Sequence, residues 1–243
     1  MKPTRKLPTD LAPILAFGAH PDDIEFGCGG VIARETQAGR AAHFVVCSRG
    51  EAGTNGTPAQ RTAEARKGAA RLGATLEFVD LGGDAHLQAS VARALKLAAI
   101  IRRLRPAVVL APTPVGNQHP DHAAVGRMVR DAARLARYGG VRDLKRQPVH
   151  AIQQLLFYAV TVEAEPADRS AVLIDVTSVA ATWWEAMQAH QSQAGTREYA
   201  GLQMARAAMH GQRAGVGFAI PLFPNDTLVF GSVQQLGRAA RQF

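Results

Sequence analysis

The sequence predicts an α/β fold, in which helices cover both faces of a mostly parallel, twisted β-sheet. Short apolar runs bounded by turn residues alternate with longer segments of helical periodicity. This alternation is typical of strand–helix–strand units with parallel strands. The length of 243 residues suits one sizeable core. We therefore expect a single domain over residues 1–243, with a less regular C-terminal part from about residue 195.

The N-terminal part of the chain predicts the first strand–helix–strand unit. The apolar run at 13–18 is typical of a short buried strand, and residues 23–39 follow with a helical pattern. A second apolar run covers 41–48, and a third, at 76–81, predicts another strand.

The helices that follow have recognisable start and stop signals. Thr57-Pro58-Ala59-Gln60 supplies an N-cap, a proline at the first helical position and the glutamine of a capping box, which predicts a helix over 58–72. A second helix, over about 90–104, ends before Pro106, and the apolar run at 107–112 predicts a buried strand.

The second half of the chain predicts two further helices, two strands and a proline-containing extended segment. The helical pattern over about 120–137 is followed by a charged turn near 139–148. The proline-flanked segment G-F-A-I-P-L-F-P-N-D-T-L-V-F (217–230) is expected to be a loop and an extended segment that packs back on the domain. Between them we expect strands near 151–160 and 171–176 and a helix capped by Thr177 or Ser178.

Composition excludes several classes of protein. No stretch approaches the roughly 20 apolar residues that a membrane span requires, and the basic start lacks the apolar centre of a secretion signal. We therefore expect a cytoplasmic protein with no membrane partner. The two cysteines, Cys28 and Cys47, form no C-x-x-C pair, so a disulfide framework or a structural zinc knuckle is disfavoured.

The net charge of +8 would suit binding to nucleic acid. The basic residues, however, are spread over predicted helices among alanine and leucine. We therefore expect solvated helix faces and no nucleic-acid partner. The residues concerned are Arg61, Arg66, Lys67, Arg71, Arg102, Arg103, Arg105, Arg127, Arg130, Arg134 and Arg137.

A first cluster of acidic and imidazole side chains directly follows the first predicted strand, in F-G-A-H-P-D-D-I-E-F-G-C-G-G (17–30). Ligands of open α/β sheets bind at the carboxyl ends of the strands. His20 and Asp23 are close enough in sequence to converge on one ion, while Asp22 can point elsewhere. The G-C-G-G run comes after the helix has begun, which disfavours a dinucleotide cofactor.

A second cluster, Q-H-P-D-H (118–122), follows the strand predicted at 107–112. A proline in the first helical turn would place His119 and His122 on nearly the same face of the helix. Each cluster alone is also typical of a turn or a helix cap. Together, two strand ends can present His20, Asp23 and His122 to a common point, which is the expected ligand set of a catalytic Zn²⁺ or Fe²⁺.

These motifs together resemble the LmbE-like, PIG-L family of metal-dependent N-deacetylases. S-R-G-E-A-G-T-N-G-T-P (48–58), followed by R-T-A-E-A (61–65), is similar to the family's second block. The resemblance covers at least residues 13–137, and helices near 178–208, including H-Q-S-Q (190–193), are similar to the family's later part. It implies a Rossmann-like sheet of the LmbE type.

The resemblance implies that His20, Asp23 and His122 bind the metal, usually zinc, with Fe²⁺ or another divalent ion as the alternative. A deacetylase of this family needs a base that takes a proton from the attacking water and passes it to the departing amine.

By the same resemblance, Asp22 is that general base. His119 stabilises the oxyanion or assists proton transfer. Asp121 orients a histidine by accepting its other ring N–H.

The resemblance also places Arg49 and Glu51 in the sugar pocket, although a structural salt bridge would explain the pair equally well. Asp84 lies in L-G-G-D, where many relatives have L-P-D-G, so its role stays open. Some relatives carry a tyrosine at the position of Asn117. Either Asn117 donates the corresponding hydrogen bond to the oxyanion, or His119 and the metal act without it.

Residues outside these motifs are expected to be structural. Trp183 and Trp184 belong in the core or at a subunit contact rather than in a sugar-stacking platform. The remaining histidines, among them His190 and His210, have no evident partner in the sequence and are expected to be surface or satisfied core residues.

The implied activity is hydrolysis of the acetamide of an N-acetylglucosamine-type sugar or glycoconjugate. An amidase acting on a thiol conjugate or another small amide is the alternative, and a noncatalytic binding protein on the same scaffold is a third reading. The expected partners are a small-molecule N-acetyl sugar and further copies of the chain, in a trimer or hexamer as in relatives.

Overall fold

A computed structural model describes residues 11–116, 119–167, 171–194 and 198–240. The strands are β1 (Ile14–Gly18), β2 (Ala42–Val46), β3 (Ala74–Phe78), β4 (Val108–Pro112), β5 (Gln154–Tyr158), β6 (Val172–Asp175) and β7 (Ala219–Pro224). The helices are α1 (Asp23–Gln37), α2 (Pro58–Arg71), α3 (Val91–Leu104), α4 (Pro120–Arg137), α5 (Ala180–Gln188), α6 (Gln191–Ala194) and α7 (Tyr199–Ala214).

The strands form one sheet in the order β3-β2-β1-β4-β5-β7-β6. The five strands from β3 to β5 are mutually parallel, whereas β7 is antiparallel to both β5 and β6. This arrangement confirms the predicted fold class, a mostly parallel α/β sheet flanked by helices.

Both faces of the sheet are covered by helices. The side chains of Leu15 and Phe17 pack with α3 and α4 on one face, and those of Ile14 and Ala16 pack with α1, α2, α5 and α7 on the other. A strand that is buried on both faces reads as a continuous apolar run, which is why β1 was predictable. Among the described helices, none is long and apolar enough to cross a membrane.

Several element boundaries differ from the prediction. Strand β3 begins at Ala74 rather than at 76, because it pairs with β2 from Ala42 to Val46. The helix start predicted at Thr57 is confirmed, since its side chain accepts a hydrogen bond from the Gln60 N–H at 3.2 Å. The cap predicted at Thr177 or Ser178 does not form, and a 3₁₀ turn over 177–179 leads into α5 instead.

The C-terminal part is more regular than predicted, because it contains α7 and β7. We expected 217–230 to be a loop and extended segment on account of its prolines, which lack a backbone N–H. Strand β7 pairs with β6 through Ala219–Leu222 and with β5 only at Phe223 and Pro224. No β7 residue is registered with both neighbours, so a proline can interrupt the ladder on one side at most.

The prediction of a solvated position is wrong for Arg102. This residue is 2% exposed, and its guanidinium donates hydrogen bonds to five backbone carbonyls at the end of α4 and in the turn that follows. It thereby satisfies carbonyls that a helix end leaves without partners. Helical spacing could not reveal this, because the acceptors come from another element.

The glycines of α1 allow neighbouring side chains to pack against the helix backbone. A Cβ atom at Gly27 would lie 2.2 Å from the ring of Tyr158, and one at Gly29 would lie 2.9 Å from Trp183. At Gly30 a Cβ would lie 2.9 Å from Ile220 and 3.2 Å from Trp183. The two aromatic rings therefore rest directly on the backbone of the helix that follows the first polar cluster.

We expect Gly27→Ala to lower the free energy of unfolding by about 1–3 kcal/mol, the usual cost of overpacking, despite the better helix propensity of alanine. Urea denaturation measures the change. Gly201→Ala in α7 is the matched control, because its Cβ would meet only the flexible Glu198 side chain, at 3.2 Å or more. A Gly27 variant as stable as wild type would contradict this packing.

Candidate metal centre and active site

The two predicted clusters meet at the carboxyl edge of the sheet. Residues 20–23 follow β1 and residues 119–122 begin α4, directly after β4 and its loop. Strands β1 and β4 are neighbours in the sheet, and the strand order reverses direction between them. Such a reversal opens a crevice where α/β proteins bind ligands.

Three side chains surround a space of the size of a metal ion. The Nδ1 atom of His20 lies 3.2 Å from Nε2 of His122, and Oδ1 of Asp23 lies 3.1 Å from the same Nε2. The other oxygen of this carboxylate, Oδ2 of Asp23, lies 3.7 Å from Nδ1 of His20. Ligands about 2.0–2.1 Å from a tetrahedral zinc ion are about 3.3–3.4 Å apart, so the donor set and its spacing fit a divalent metal.

His119 lies on the exposed side of this group. One ring nitrogen each from His20, His119 and His122 lies within 4.8 Å of the others. The His119 side chain also caps α4 by accepting a hydrogen bond from the Asp121 N–H at 3.3 Å. Partial burial, and then the nearby His20 and His122 rings, lower the pKa of His119, which favours its neutral form.

The second ring nitrogen of His20 is held by two carboxylates. Its Nε2 lies 2.9 Å from Oδ1 of Asp84 and 3.2 Å from Oδ2 of Asp121. Asp121 also accepts the Ala85 N–H at 2.7 Å. Asp121 thus lies where its predicted orienting role requires, and Asp84, whose role the sequence left open, is a second partner. A metal-binding histidine is typically oriented in this way.

The carboxylates dominate the electrostatics of the centre. Burial alone would lower the pKa of His20, but hydrogen bonds to Asp121, Asp23 and Asp84 outweigh it and raise the pKa to about 12. Burial opposes ionisation of Asp23 too, yet the adjacent His122 and His20 hold its pKa well below its usual value. In the absence of a metal, the cluster therefore stabilises positive charge, and a cation must displace a proton from it.

Asp22 lines the same cavity as the ligand group and has an unusual backbone geometry. Its φ of 110° is unusual for a residue other than glycine, and its side chain makes no capping bond to α1. The carboxylate instead accepts a hydrogen bond from Arg61 at 3.3 Å. Burial, followed by the negative charge of Asp23, raises the pKa of Asp22 to about 6, although His190 and Arg61 oppose the shift.

The prediction that Arg61 belongs to a solvated helix face is wrong. The residue is 6% exposed, and it donates a second hydrogen bond, to the Pro21 carbonyl, at 3.1 Å. A Cβ at Gly50 or Gly53 would lie 2.1 or 2.7 Å from its guanidinium. The glycines of the S-R-G-E-A-G block therefore make room for this buried cation beside Asp22.

The clusters line a cavity of about 510 Å³, which also contains Arg61 and Asp84. An adjoining cavity of about 650 Å³ is lined by Arg49 and Glu51, and the two cavities share Asp84 and Ala52. Asn117 lies outside the described residues.

Among the ion pairs of the described residues, none joins Arg49 to Glu51. The salt bridge considered above therefore does not form. The guanidinium of Arg49 lies 4.7 Å from the centre of the Phe78 ring. Glu51 accepts hydrogen bonds from the backbone N–H groups of Arg49 and Asp84, both at 3.0 Å. It thereby supports the loop that carries Asp84.

The H-Q-S-Q segment anchors the back of the site. The buried His190 lies 3.3 Å from the carboxylate of Glu25, which follows Asp23 in α1. Ser192 donates to Glu64 of α2 at 2.6 Å, and Trp183 donates to the Glu25 carbonyl at 2.7 Å. His190 is a core residue, in keeping with one of its two predicted environments, whereas Trp184 is partly exposed.

Fold and site together define an α/β protein with a histidine–aspartate group able to hold a divalent metal at its strand ends. Residues 15–133 match the family model described as PIG-L, GlcNAc-PI de-N-acetylase. The chain belongs to this PIG-L (LmbE-like) family, as the motifs predicted.

The similar proteins differ in their activities. Diacetylchitobiose deacetylase of Thermococcus kodakarensis is 26% identical over 76% of this chain and 71% of its own length. The 4-oxalmesaconate hydratase of Pseudomonas putida is 29% identical over 61% of this chain and 64% of its own. A conserved protein of Thermus thermophilus has a similar structure, with a TM-score of 0.79, 30% identity, and coverage of 90% of this chain and 97% of its own.

We expect Asp84→Asn to weaken Zn²⁺ affinity by about 10–100-fold, because His20 loses one of the carboxylates that orient it. Competition with a chelator of known affinity measures this change. Asp80→Asn is the matched control, since Asp80 accepts the Gly82 N–H in the same loop and asparagine keeps that bond. Equal affinities for the two variants would contradict the orienting role of Asp84.

Proposed function

We propose that this protein is a divalent-metal-dependent N-deacetylase, with zinc as the first candidate. Its substrate would be the acetamide of an N-acetylglucosamine-type sugar or glycoconjugate. The main support is the convergence of His20, Asp23 and His122, whose side-chain nitrogen and oxygen atoms lie 3.1–3.7 Å apart. Asp22 lines the same cavity. The similarity to a deacetylase family supports the same reaction.

In this proposal His20, Asp23 and His122 would hold the metal, and a bound metal would supply Lewis acidity toward the acetamide carbonyl and the attacking water. The Asp22 carboxylate takes a proton from that water and later delivers it to the departing amine nitrogen. Arg61 keeps the carboxylate directed to the cavity.

His119 donates a hydrogen bond to the carbonyl oxygen as negative charge develops there. Its exposed position at the mouth of the ligand group and its lowered pKa suit a neutral donor. The products are acetate and a free amine.

Arg49, Glu51 and Asn117 are proposed to contact the sugar. Arg49 and Glu51 would do so across the boundary that the two cavities share at Asp84 and Ala52. A guanidinium resting on an aromatic ring offers N–H donors to sugar hydroxyl groups.

A hydratase is the second candidate, because the chain is similar to a hydratase of the same fold. An activated water and a neighbouring base would also serve addition to a carbon–carbon double bond. A panel of N-acetyl sugars, small amides and conjugated unsaturated acids separates the candidates. Acetate release from the N-acetyl sugars supports the deacetylase, release of other acyl products from the small amides supports the amidase, and loss of the conjugated absorbance supports the hydratase.

We further propose a cytoplasmic location and a homo-oligomer, a trimer or hexamer. The first is supported by the two buried, unpaired cysteines, which suit a reducing compartment. The second is supported by apolar residues exposed near the C-terminal end, namely Val229, Phe230, Val233 and Leu236.

We expect Asp22→Asn to lower kcat by a factor on the order of 100 or more, because the amide cannot accept the proton. Asparagine is chosen since it tolerates a positive φ better than alanine. Metal analysis should find the wild-type metal content in this variant. Asp131→Asn, on an exposed part of α4, is the control. Unchanged turnover in Asp22→Asn would remove this residue from the role of base.

The fall of kcat/KM at acidic pH, the acid limb, should follow the protonation of the Asp22 carboxylate. A general base acts when it is deprotonated, so the rate must fall as pH falls through the pKa of Asp22, which burial and Asp23 raise to about 6. A bound dication lowers that pKa, which places the midpoint at or below about pH 6. The limb should vanish from the residual rate of Asp22→Asn, with metal content checked at each pH. A limb retained in that variant would assign it to another group.

A further inference from the structure

The cavity that contains the candidate metal centre is also lined by a group of apolar residues, here called the apolar wall. This wall comprises Phe26 from α1, Val160 and Val162 from the loop after β5, and Tyr199 and Leu202 from α7. The ring of Tyr199 stands edge-on to that of Phe26, with 6.2 Å between their centres. The polar clusters of the metal centre and the apolar wall therefore line the same cavity.

Three residues of the apolar wall are unusually exposed for their type. Val162 is 48%, Leu202 47% and Tyr199 37% exposed. Single exposed apolar residues are ordinary on a protein surface, but a group that lines one cavity beside a polar centre marks a binding surface. Such a wall contributes to binding only if the ligand brings apolar atoms to it.

Hydrogen bonds fix the two main elements of the apolar wall relative to each other. Gln203 donates a hydrogen bond to the Val160 carbonyl at 2.7 Å. Arg206 donates to the Ala159 carbonyl at 2.9 Å and pairs with Glu165 at 2.6 Å. These bonds join the loop after β5 to α7, so the apolar side chains of both elements are positioned before a ligand arrives.

The charges around the cavity do not favour an anionic group at the wall. Within the described part of the chain, Arg61 is the only lysine or arginine that lines the cavity, and its guanidinium already pairs with Asp22. Glu163, which lines the same cavity beside Val162, would repel a phosphate or carboxylate.

We infer that the apolar wall is a subsite for an uncharged alkyl or aryl group of the substrate. This inference rests on the proposed function for the sugar, and it narrows the substrate class to N-acylated amino sugars that carry an apolar group. The group can be attached through the glycosidic oxygen or can form part of the acyl chain. Free N-acetylglucosamine and its phosphate esters would leave the wall unused.

The test is a matched series of substrates. Methyl, hexyl and phenyl glycosides of N-acetylglucosamine vary the group at the glycosidic oxygen, and N-acetyl and N-hexanoyl forms of the methyl glycoside vary the acyl chain. Burying a methylene favours binding by about threefold to fourfold. A partly open wall should therefore raise kcat/KM for one of the longer substrates by about 10–30-fold, mainly through KM.

Leu202→Gln should lower this preference at least fivefold. Met209→Gln is the control, because Met209 lies on the same helix, is equally exposed at 48%, and does not line the cavity. Titration calorimetry with hexyl and methyl glycosides of glucosamine measures the dissociation constants directly and needs no turnover. There the hexyl compound should bind about tenfold more tightly, and Leu202→Gln should remove the difference.

The outcomes separate the two proposals. If no substrate releases its acyl group but the hexyl compound still binds more tightly, the proposed deacetylase function is overturned and the proposed apolar subsite stands. Acyl release with equal kcat/KM across both series overturns the wall and leaves the deacetylase. A preference that persists in Leu202→Gln would show that the apolar group binds elsewhere and would overturn the wall. A change in the mass of the assembly in Leu202→Gln, without a change in preference, would also overturn it and would assign the wall to contacts between copies.

Discussion

The candidate site depends on how the imidazole of His20 is held. One ring nitrogen must face the ligand group while the other, in a buried setting, needs a partner of its own. Asp84, in the loop after β3, and Asp121, in the first turn of α4, supply that partner at 2.9 and 3.2 Å. A single ring thus connects the loops after β1 and β3 to the start of α4.

The C-terminal half of the chain supports the loop that carries His20 and Asp23. Tyr158 donates to the Phe17 carbonyl just before the loop, at 2.7 Å, and Trp183 donates to the Glu25 carbonyl just after it, at the same distance. Both rings are buried against glycines of α1. The less distinctive part of the sequence therefore has a defined physical role, which is to limit the movement of the residues that carry the chemistry.

Much of the fold and the centre of the site could be predicted from local patterns. Continuous apolar runs indicated β1 and β4, and the clusters after them were predicted to reach a common point at the carboxyl ends of their strands. The structure adds that these two strands are neighbours. Arg61, Arg102 and His190 could not be assigned in this way, since their partners lie on other elements and leave no periodic signal. Strand β7 was predicted only as part of a loop and extended segment, because its prolines are compatible with a sheet only through one-sided pairing, which sequence does not reveal.

The backbone of Asp22 shows what the arrangement costs. A residue with a side chain at φ 110° is held in a conformation that disfavours it by about 1–3 kcal/mol, and glycine would relieve that strain. A chain selected for stability alone would therefore carry glycine at this position. The aspartate accepts this backbone strain and places a carboxylate at the cavity. At position 22, therefore, stability and reactivity favour different residues.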